Sequence, residues 1–197
     1  PSLHYLLSSA IMAGAYDIAL AGGVEHMTRA PYVMSKASKA FGTDSQLYDS
    51  SFGWRFINPK MQDNHGTEAM GETAENLVEA YSISREDQDA FAVWSQEKTA
   101  KAHASGYFEG EIVPVSIPQR KKDPIVVSQD EFPKPNSSLT ALAGLRPAFR
   151  KDGSVTAGNS SGLNDGAAAC LVASEAAVQA HGLTPLARIV ASAVVGV

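Results

Sequence analysis

The apolar positions between Leu3 and Ile11 are spaced by three or four residues, which predicts a helix over residues 2–14. Gly14 is placed to end that helix. A short apolar run, residues 18–21, follows and stops at a pair of glycines, as expected for a strand that ends at a turn. A helix closely followed by a strand is typical of part of a β-α-β unit.

The middle of the chain predicts two further helices. Apolar side chains share one face between residues 70 and 81. The next helix begins with a capping-box-like turn at Ser84 and continues to about residue 105, where a glycine ends it. Phe91 and Trp94 are its predicted buried anchors.

Residues 112–117 and 125–127 predict short strands, and the prolines among them favour edge positions. The stretches 41–59 and 130–136 are irregular, with Gly, Pro and aromatic residues mixed. The block from residue 25 to about 154 therefore has the character of a large insertion between two parts of an α/β core.

Residues 156–166 (TAGNSSGLNDG) combine three glycines with small polar side chains, so the backbone can turn tightly and approach a ligand closely. Seven apolar residues, 167–173, follow directly. That run predicts a strand buried on both faces or a segment of a buried helix, because periodicity alone does not separate the two. Beyond it, residues 175–181 predict a short helix capped by Ser174, and residues 187–195 a final strand.

The 197 residues carry 16 basic and 21 acidic side chains, a net charge of −5. A nucleic-acid surface needs a basic field, so nucleic acid is not an expected partner. Arg120-Lys121-Lys122, with Lys134, Arg146, Arg150 and Lys151 further on, has two interpretations: a solvated loop face, or a shallow basic rim that receives the phosphates of a ligand. No apolar run is long enough to cross a bilayer, so no membrane span is expected.

Cys170 is the only thiol in the sequence, which excludes an internal disulfide framework and suggests a reducing compartment. It lies inside the apolar run without a charged neighbour, which favours an inert core thiol over a nucleophile. The five histidines show no ligand spacing, so no metal site is expected. The glycines match neither the dinucleotide-binding fingerprint nor the P-loop, and no G-x-S-x-G turn is present.

Several segments resemble thiolases, the acyl-CoA:acetyl-CoA acyltransferases, in family-like order and spacing. They are residues 21–27 (AGGVEHM), 70–76 (MGETAEN), 88–92 (QDAFA), 111–115 (EIVPV), 145–149 (LRPAF) and 156–168 (TAGNSSGLNDGAA). The resemblance covers essentially the whole chain.

The resemblance implies an α/β fold: part of the N-terminal β-α-β half of a thiolase plus an inserted α+β loop domain. Residues 1–28 and 156–186 would form the incomplete N-terminal core. Residues 29–155 would form the inserted loop domain with the coenzyme A site, and residues 187–197 the first strand of the C-terminal half. We interpret the chain as the middle of a longer subunit, because it begins within a helix and stops after a strand-like run. The family's nucleophilic cysteine would precede it, and the histidine base, second cysteine and oxyanion-hole asparagine would follow it.

The resemblance also implies a set of residues that bind coenzyme A or its acyl group, with simple packing as the alternative role for each. They are Met61, Met70, Lys134, Ala148, Phe149, Ala157, Ser161 and Leu163. None of them is catalytic, and Cys170 matches none of the family's catalytic cysteines.

Within this set, the pair at 148–149 would line the adenine and pantetheine channel, and Ser161 and its neighbours the wall along pantetheine. The two methionines would face the acyl end. Lys134 stands where many thiolases carry an arginine near the phosphates, and a lysine supplies the charge without the bidentate fork. Ala141 stands where some relatives carry a serine near adenine. Ala69 replaces a histidine of short-chain biosynthetic members, which favours a degradative or broader-chain enzyme.

The implied activity is ping-pong acyl transfer, in which a cysteine thiolate attacks a 3-ketoacyl-CoA, acetyl-CoA leaves and the acyl group passes to free coenzyme A. The reverse is Claisen condensation. The resemblance implies no metal or redox cofactor, coenzyme A as a substrate, a homodimer or homotetramer of the full-length enzyme, and a cytoplasmic or organelle-matrix location. The alternatives are a truncated domain that only binds coenzyme A or a partner subunit, and a thiolase-like carrier or synthase relative. We expect the chain alone to be inactive.

Overall fold

A computed structural model describes residues 2–193, with side chains from residue 5 onward. The chain divides into two compact units. The first unit holds the residues up to Thr28 and those from Asn164 onward, and the second holds Arg29–Leu163. The division at residues 155 and 156 drawn from the sequence stays a prediction.

The described chain contains six α-helices and six β-strands. In order they are α1 (Ser2–Met12), β1 (Ile18–Glu25), β2 (Tyr32–Met34), β3 (Leu47–Asp49), α2 (Pro59–His65), α3 (Met70–Tyr81), α4 (Arg85–Ala104), β4 (Val115–Gln119), β5 (Lys122–Val127), α5 (Leu139–Ala143), β6 (Gly166–Ala173) and α6 (Glu175–Ala180).

The first unit is built on an antiparallel pair of strands, β1 and β6, which α1 contacts. The register runs from Ile18 opposite Ala173 to Glu25 opposite Gly166. The prediction that the first strand stops at its glycine pair is wrong, because β1 continues through both glycines. Gly22 allows this close pairing, since a Cβ there would lie 3.3 Å from the carbonyl oxygen of Ala168.

Strand β6 confirms the strand alternative for the apolar run, but the prediction that both of its faces are buried is wrong. Leu171 is 59% exposed, and Cys170 is exposed as well, so its prediction as a core thiol is also wrong. These side chains are exposed because, in the described part of the chain, this sheet has two strands, which α1 contacts.

The second unit combines helices α2 to α5 with two small antiparallel pairs, β2 with β3 and β4 with β5. Helices α3 and α4 and the β4–β5 hairpin confirm the sequence predictions. Ser84 caps α4, as expected, by accepting a hydrogen bond from the Asp87 backbone N–H. The sequence analysis missed α2, α5 and the β2–β3 pair, which are short elements within irregular stretches.

Phe91 and Trp94 are not the buried anchors that the sequence predicts. They are 67% and 52% exposed, and the Lys98 ammonium lies 3.5 Å from the centre of the Trp94 ring. The buried side chain on this helix is Asp89. The α4 face toward the rest of its unit is therefore organised by a carboxylate.

The final strand predicted over residues 187–197 is not present over residues 187–193, and residues 194–197 lie outside the described residues. A strand needs a partner to pair with its backbone, and no described residue pairs with this segment. None of the described helices has both the length and the apolar content needed to cross a bilayer.

The apolar core is small for a chain of this length. Among the side chains that the structure describes, the buried apolar ones are Ala21 and Ala177 in the first unit and Leu142 and Val155 in the second. The accessible surface is 15925 Å², whereas a folded chain of this length exposes about 9,000 Å² as one domain or about 11,000 Å² as two. Many large apolar side chains, Leu171 among them, therefore face outward.

This exposed apolar surface predicts that the 197-residue chain self-associates. We expect the mass from static light scattering to rise with concentration between roughly 1 and 100 μM, across the range of typical weak association. A monomer at every concentration that also melts in a single cooperative transition would contradict the prediction.

Candidate functional site

All the residues that the sequence analysis assigns to a coenzyme A site lie in the second unit, Arg29–Leu163. Met61 is on α2 and Met70 is the first residue of α3. The others lie on loops that flank α5 or precede β6. Phe149 is half-buried and the rest are exposed.

The segment that holds Ala148 and Phe149 lies between the start of α3 and residues 154–163, which we call the glycine-rich loop. A Cβ on Gly71 would overlap the ring of Phe149, so that ring sits directly on the backbone beside Met70. On the other side, the Ala148 backbone N–H donates a hydrogen bond of 2.9 Å to the Val155 carbonyl oxygen. Met70, Ala148, Phe149 and the start of the glycine-rich loop are thus neighbours.

The far end of the same loop contacts the proline-rich loop before α5. A Cβ on Gly162 would overlap the ring of Phe132, and the Lys134 ammonium lies 5.9 Å from the centre of that ring. Ser161 and Leu163 flank Gly162, so they lie beside the segment that carries Lys134. The position of Met61 relative to these residues stays a prediction.

Two buried carboxylates, which the sequence analysis did not single out, hold the glycine-rich loop. The first is Glu75 on α3, which is 2% exposed. Its carboxylate accepts hydrogen bonds from the backbone N–H groups of Ser154 and Val155, at 2.9 and 2.8 Å. A Cβ on Gly153 would overlap this carboxylate, so a glycine is required there.

The second carboxylate is Asp89 on α4, which is 4% exposed. One oxygen accepts a hydrogen bond from the Asn159 amide at 2.9 Å, and the other pairs with the Arg85 Nε at 2.8 Å. Arg85 also donates to the carbonyl oxygens of Leu142 and Leu145, at the end of α5.

Inside the loop, the backbone folds around Thr156, which is fully buried. Its N–H donates to the Asn159 side-chain oxygen at 2.7 Å, and its hydroxyl oxygen accepts from the Gly158 N–H at 3.1 Å. The Ser160 hydroxyl donates to the Thr156 carbonyl oxygen at 2.6 Å. These bonds turn the small side chains of Ala157 and Ser161 outward, where both are exposed.

Arg150 does not belong to a free basic rim, so the phosphate-rim interpretation fails at this residue. Its guanidinium pairs with Glu72 at 2.9 Å and Glu79 at 2.6 Å, and donates to the Asn76 side chain at 2.7 Å. The hydrogen bond to Glu72 raises the pKa of Arg150 above its ordinary value, with a further contribution from the charge of Glu79. Arg150 thus joins α3 to the 148–150 segment.

Asp165, near the end of the glycine-rich motif, belongs to the first unit. Its carboxylate accepts hydrogen bonds from the Thr28 hydroxyl at 2.7 Å and the Thr28 N–H at 3.0 Å. These bonds lower the pKa of Asp165, and the nearby His26 imidazole, 3.3 Å away, adds a smaller contribution. The interaction joins the end of the first segment of this unit, at Thr28, to the start of its second segment, which begins at Asn164.

A separate cleft of about 360 Å³ lies along α4, lined by Ile83, Asp87, Gln88, Phe91 and Asn159. It includes none of the predicted coenzyme A residues. Among the side chains that the structure describes, no three His, Cys, Asp or Glu groups are arranged to hold a metal ion.

The sequence carried little signal for Glu75, Asp89 and Arg85. Charged residues on predicted helices are usually solvent-exposed, and nothing in a single sequence shows that these contact residues 57 to 80 positions further along the chain. Asn159 had a weak signal, since its side chain competes well for backbone groups within a turn.

Comparisons with known proteins agree with these motifs. Residues 5–176 match the family model for the N-terminal domain of thiolases. A β-ketoadipyl-CoA thiolase of Acinetobacter baylyi is 52% identical over 192 residues, which cover 98% of this chain and 48% of that protein. The chain therefore spans about half the length of the curated relatives that it matches.

Solved structures show the same relationship. The crystal structure of human mitochondrial 3-ketoacyl-CoA thiolase matches with a TM-score of 0.79 and 38% identity, covering 96% of this chain and 47% of that one. The same human enzyme in complex with CoA matches with a TM-score of 0.78 and 36% identity, covering 94% and 45%.

Replacement of Glu75 by Gln should destabilise the second unit by about 1–3 kcal/mol, because it removes the buried charge and places an NH₂ group where one carboxylate oxygen accepts from the Ser154 N–H and hydroxyl. Urea denaturation followed by circular dichroism measures this. Glu79→Gln is the matched control on the same helix, since the Glu79 side chain is 72% exposed and a surface ion pair contributes at most about 1 kcal/mol. Equal losses in both variants would contradict the role of Glu75.

Asp165 should make the stability of the first unit depend on pH in the acid range. Its lowered folded-state pKa means that its stabilisation is fully present above the ordinary value of 3.8 and is lost as the pH falls through the folded value. The difference in urea midpoint between the wild type and Asp165→Asn should therefore be constant above pH 3.8 and shrink as the pH falls further. Glu25→Gln, an exposed carboxylate in the same unit, is the control. A difference that stays constant down to the lowest pH would refute the assignment.

Proposed function

Because the chain belongs to the thiolase family, we propose that it supplies the coenzyme A-binding side of an enzyme that transfers acyl groups to coenzyme A. The observation that supports this most directly is the series of contacts within the second unit. It joins Met70, the 148–149 segment, the glycine-rich loop and the Lys134 segment into one neighbourhood.

The chemistry of these residues suits the parts of coenzyme A. The small exposed side chains of Ala157 and Ser161 let a pantetheine arm approach the loop closely, and the Ser161 hydroxyl can donate to or accept from its amides. The half-buried Phe149 ring supplies apolar contact. The Lys134 ammonium supplies positive charge for the phosphates.

We propose that the reaction is thiolysis of a 3-ketoacyl-CoA or the reverse condensation, through an acyl-cysteine intermediate. Because the chain spans about half the length of its relatives, we assign the nucleophilic cysteine, the base and the oxyanion donors to a longer protein of which these residues are part. Cys170, which lies on β6 in the first unit, is not proposed as the nucleophile, because by the family resemblance it matches none of the catalytic cysteines. Coenzyme A acts as a substrate, and the proposal needs no metal or redox cofactor.

The similar Acinetobacter baylyi protein is named for β-ketoadipyl-CoA, whose acyl group ends in a carboxylate. A 3-ketoacyl-CoA of a dicarboxylic acid is therefore the first substrate class to test on a longer protein that contains this chain. We further propose a homo-oligomer of that protein, in the cytoplasm or an organelle matrix, where reducing conditions keep Cys170 as a thiol.

Coenzyme A binding to the 197-residue chain tests the proposal, with isothermal titration calorimetry as the measurement. Ser161→Ala should weaken binding by about threefold to tenfold, the value of one hydrogen bond. Lys134→Gln should weaken it more at low salt than at high salt, because the lost contact is electrostatic.

Lys101→Gln, an exposed lysine on α4, is the matched control for the charge change and should leave the affinity unchanged. A wild-type chain that shows no binding at millimolar coenzyme A would refute the proposed function. Equal effects of Lys134→Gln and Lys101→Gln would refute the role of Lys134 alone.

A further inference from the structure

Asp89 is an unusual residue to find buried, because removing a carboxylate from water is costly unless every oxygen is hydrogen-bonded. It is 4% exposed, and both of its oxygens are used: one by the Asn159 amide and one by Arg85. Asn159 belongs to the glycine-rich loop, whereas Arg85 lies one turn earlier on α4 and also donates to the carbonyl oxygens of Leu142 and Leu145. Through these two partners, Asp89 on α4 is connected both to the loop and to the end of α5.

The Asn159 arm reaches the glycine-rich loop. The Asn159 Nδ2 donates to Asp89 and, at 3.2 Å, to the Ser154 carbonyl oxygen, while its Oδ1 accepts from the Thr156 N–H. A carboxylate can only accept, so Asp89 orients this amide with its NH₂ group toward α4 and its oxygen toward the loop backbone. That orientation is the one that the Thr156 N–H requires.

The Arg85 arm reaches the end of α5. Arg85 donates to Asp89 at 2.8 Å through Nε, and to the Leu142 carbonyl oxygen at 2.6 Å through Nη2. The same nitrogen lies 3.2 Å from the Leu145 carbonyl oxygen. Ala148 and Phe149 follow directly along the chain, so the Arg85 guanidinium holds the residues that lead into their segment.

We propose that Asp89 is a positioning residue for coenzyme A binding, which sets the spacing of two walls of the site through Asn159 and Arg85. This inference rests on the proposed function. Asp89 is not assigned a contact with the ligand. It fixes the loop of Ala157 and Ser161 on one side and the 145–149 segment on the other, and so holds both in place before the ligand arrives.

Asp89→Asn is the informative variant, because it keeps the size of the side chain and turns one acceptor into a donor. That donor must face either the Asn159 amide or the Arg85 guanidinium, both of which also donate. We expect the Kd of coenzyme A to rise about tenfold or more, the effect of losing one charged hydrogen bond. Hydrogen exchange at the amides of Thr156 and Gly158 should accelerate in the same variant.

Two controls separate positioning from loss of charge or of stability. Glu97→Gln removes an exposed carboxylate from the same helix and should change neither readout. Ser174→Ala removes the cap of α6 in the first unit, so it should lower the melting temperature and leave the Kd unchanged. If Asp89→Asn does not fold, Asn159→Ala cuts the same connection from the other side and should raise the Kd similarly.

The outcomes are distinct. A wild-type chain that binds coenzyme A, with a Kd within twofold in Asp89→Asn or in the fallback variant, would overturn this inference and leave the proposed function standing. An equal rise in Kd for Ser174→Ala would also overturn it, because the effect would then follow stability. A wild-type chain that does not bind coenzyme A would overturn both.

Discussion

The second unit depends on hydrogen bonds from a loop to two buried carboxylates. The glycine-rich loop has few large side chains of its own, and apolar residues elsewhere, such as Phe132, pack against its glycines. Glu75 and Asp89 hold the path of the loop by accepting hydrogen bonds from its backbone and from Asn159. Each carboxylate exchanges its water shell for several donors at once, which makes one loop geometry strongly preferred over others that leave an oxygen unpaired.

The same arrangement explains why the loop has an inner and an outer side. Thr156 and Val155 are buried. The Val155 N–H donates to Glu75 on α3, and the polar atoms of Thr156 are satisfied within the loop. Ala157 and Ser161 are left exposed. A rigid inner side with small residues outside is a physical basis for binding an extended, amide-containing ligand at low conformational cost.

Much of the rest of the chain is held by local pairing and by ion pairs more than by a large core. Arg150 joins the residues before the glycine-rich loop to α3 through Glu72, Glu79 and Asn76. Asp165 joins the two segments of the first unit through Thr28. In both cases a charged side chain connects parts that are far apart in sequence, and the apolar faces of the strands remain exposed.

The sequence by itself determined the long helices and the apolar strands, because their periodicity and their capping residues act over a few neighbouring positions. Ser84 and Ser174 cap the helices that they were expected to cap, and residues 166–173 form a strand. The sequence also determined the family, since motifs such as 70–76 and 156–168 occur in the order and at the spacing typical of thiolases. The residues assigned to coenzyme A follow from that resemblance and stay predictions.

Only the tertiary structure decided which side chains are buried. Phe91 and Trp94 are exposed while Asp89, on the same helix, is buried. Asp89 is buried where Asn159, 70 positions away along the chain, donates to one of its oxygens, and Arg85, one turn earlier on α4, pairs with the other. The Arg85 pair is local, but the burial of Asp89 also needs the donor that Asn159 brings from a distant position, which no local pattern encodes. For the same reason the length of β1 through its glycines was decided by its pairing with β6, and not by the turn propensity of glycine.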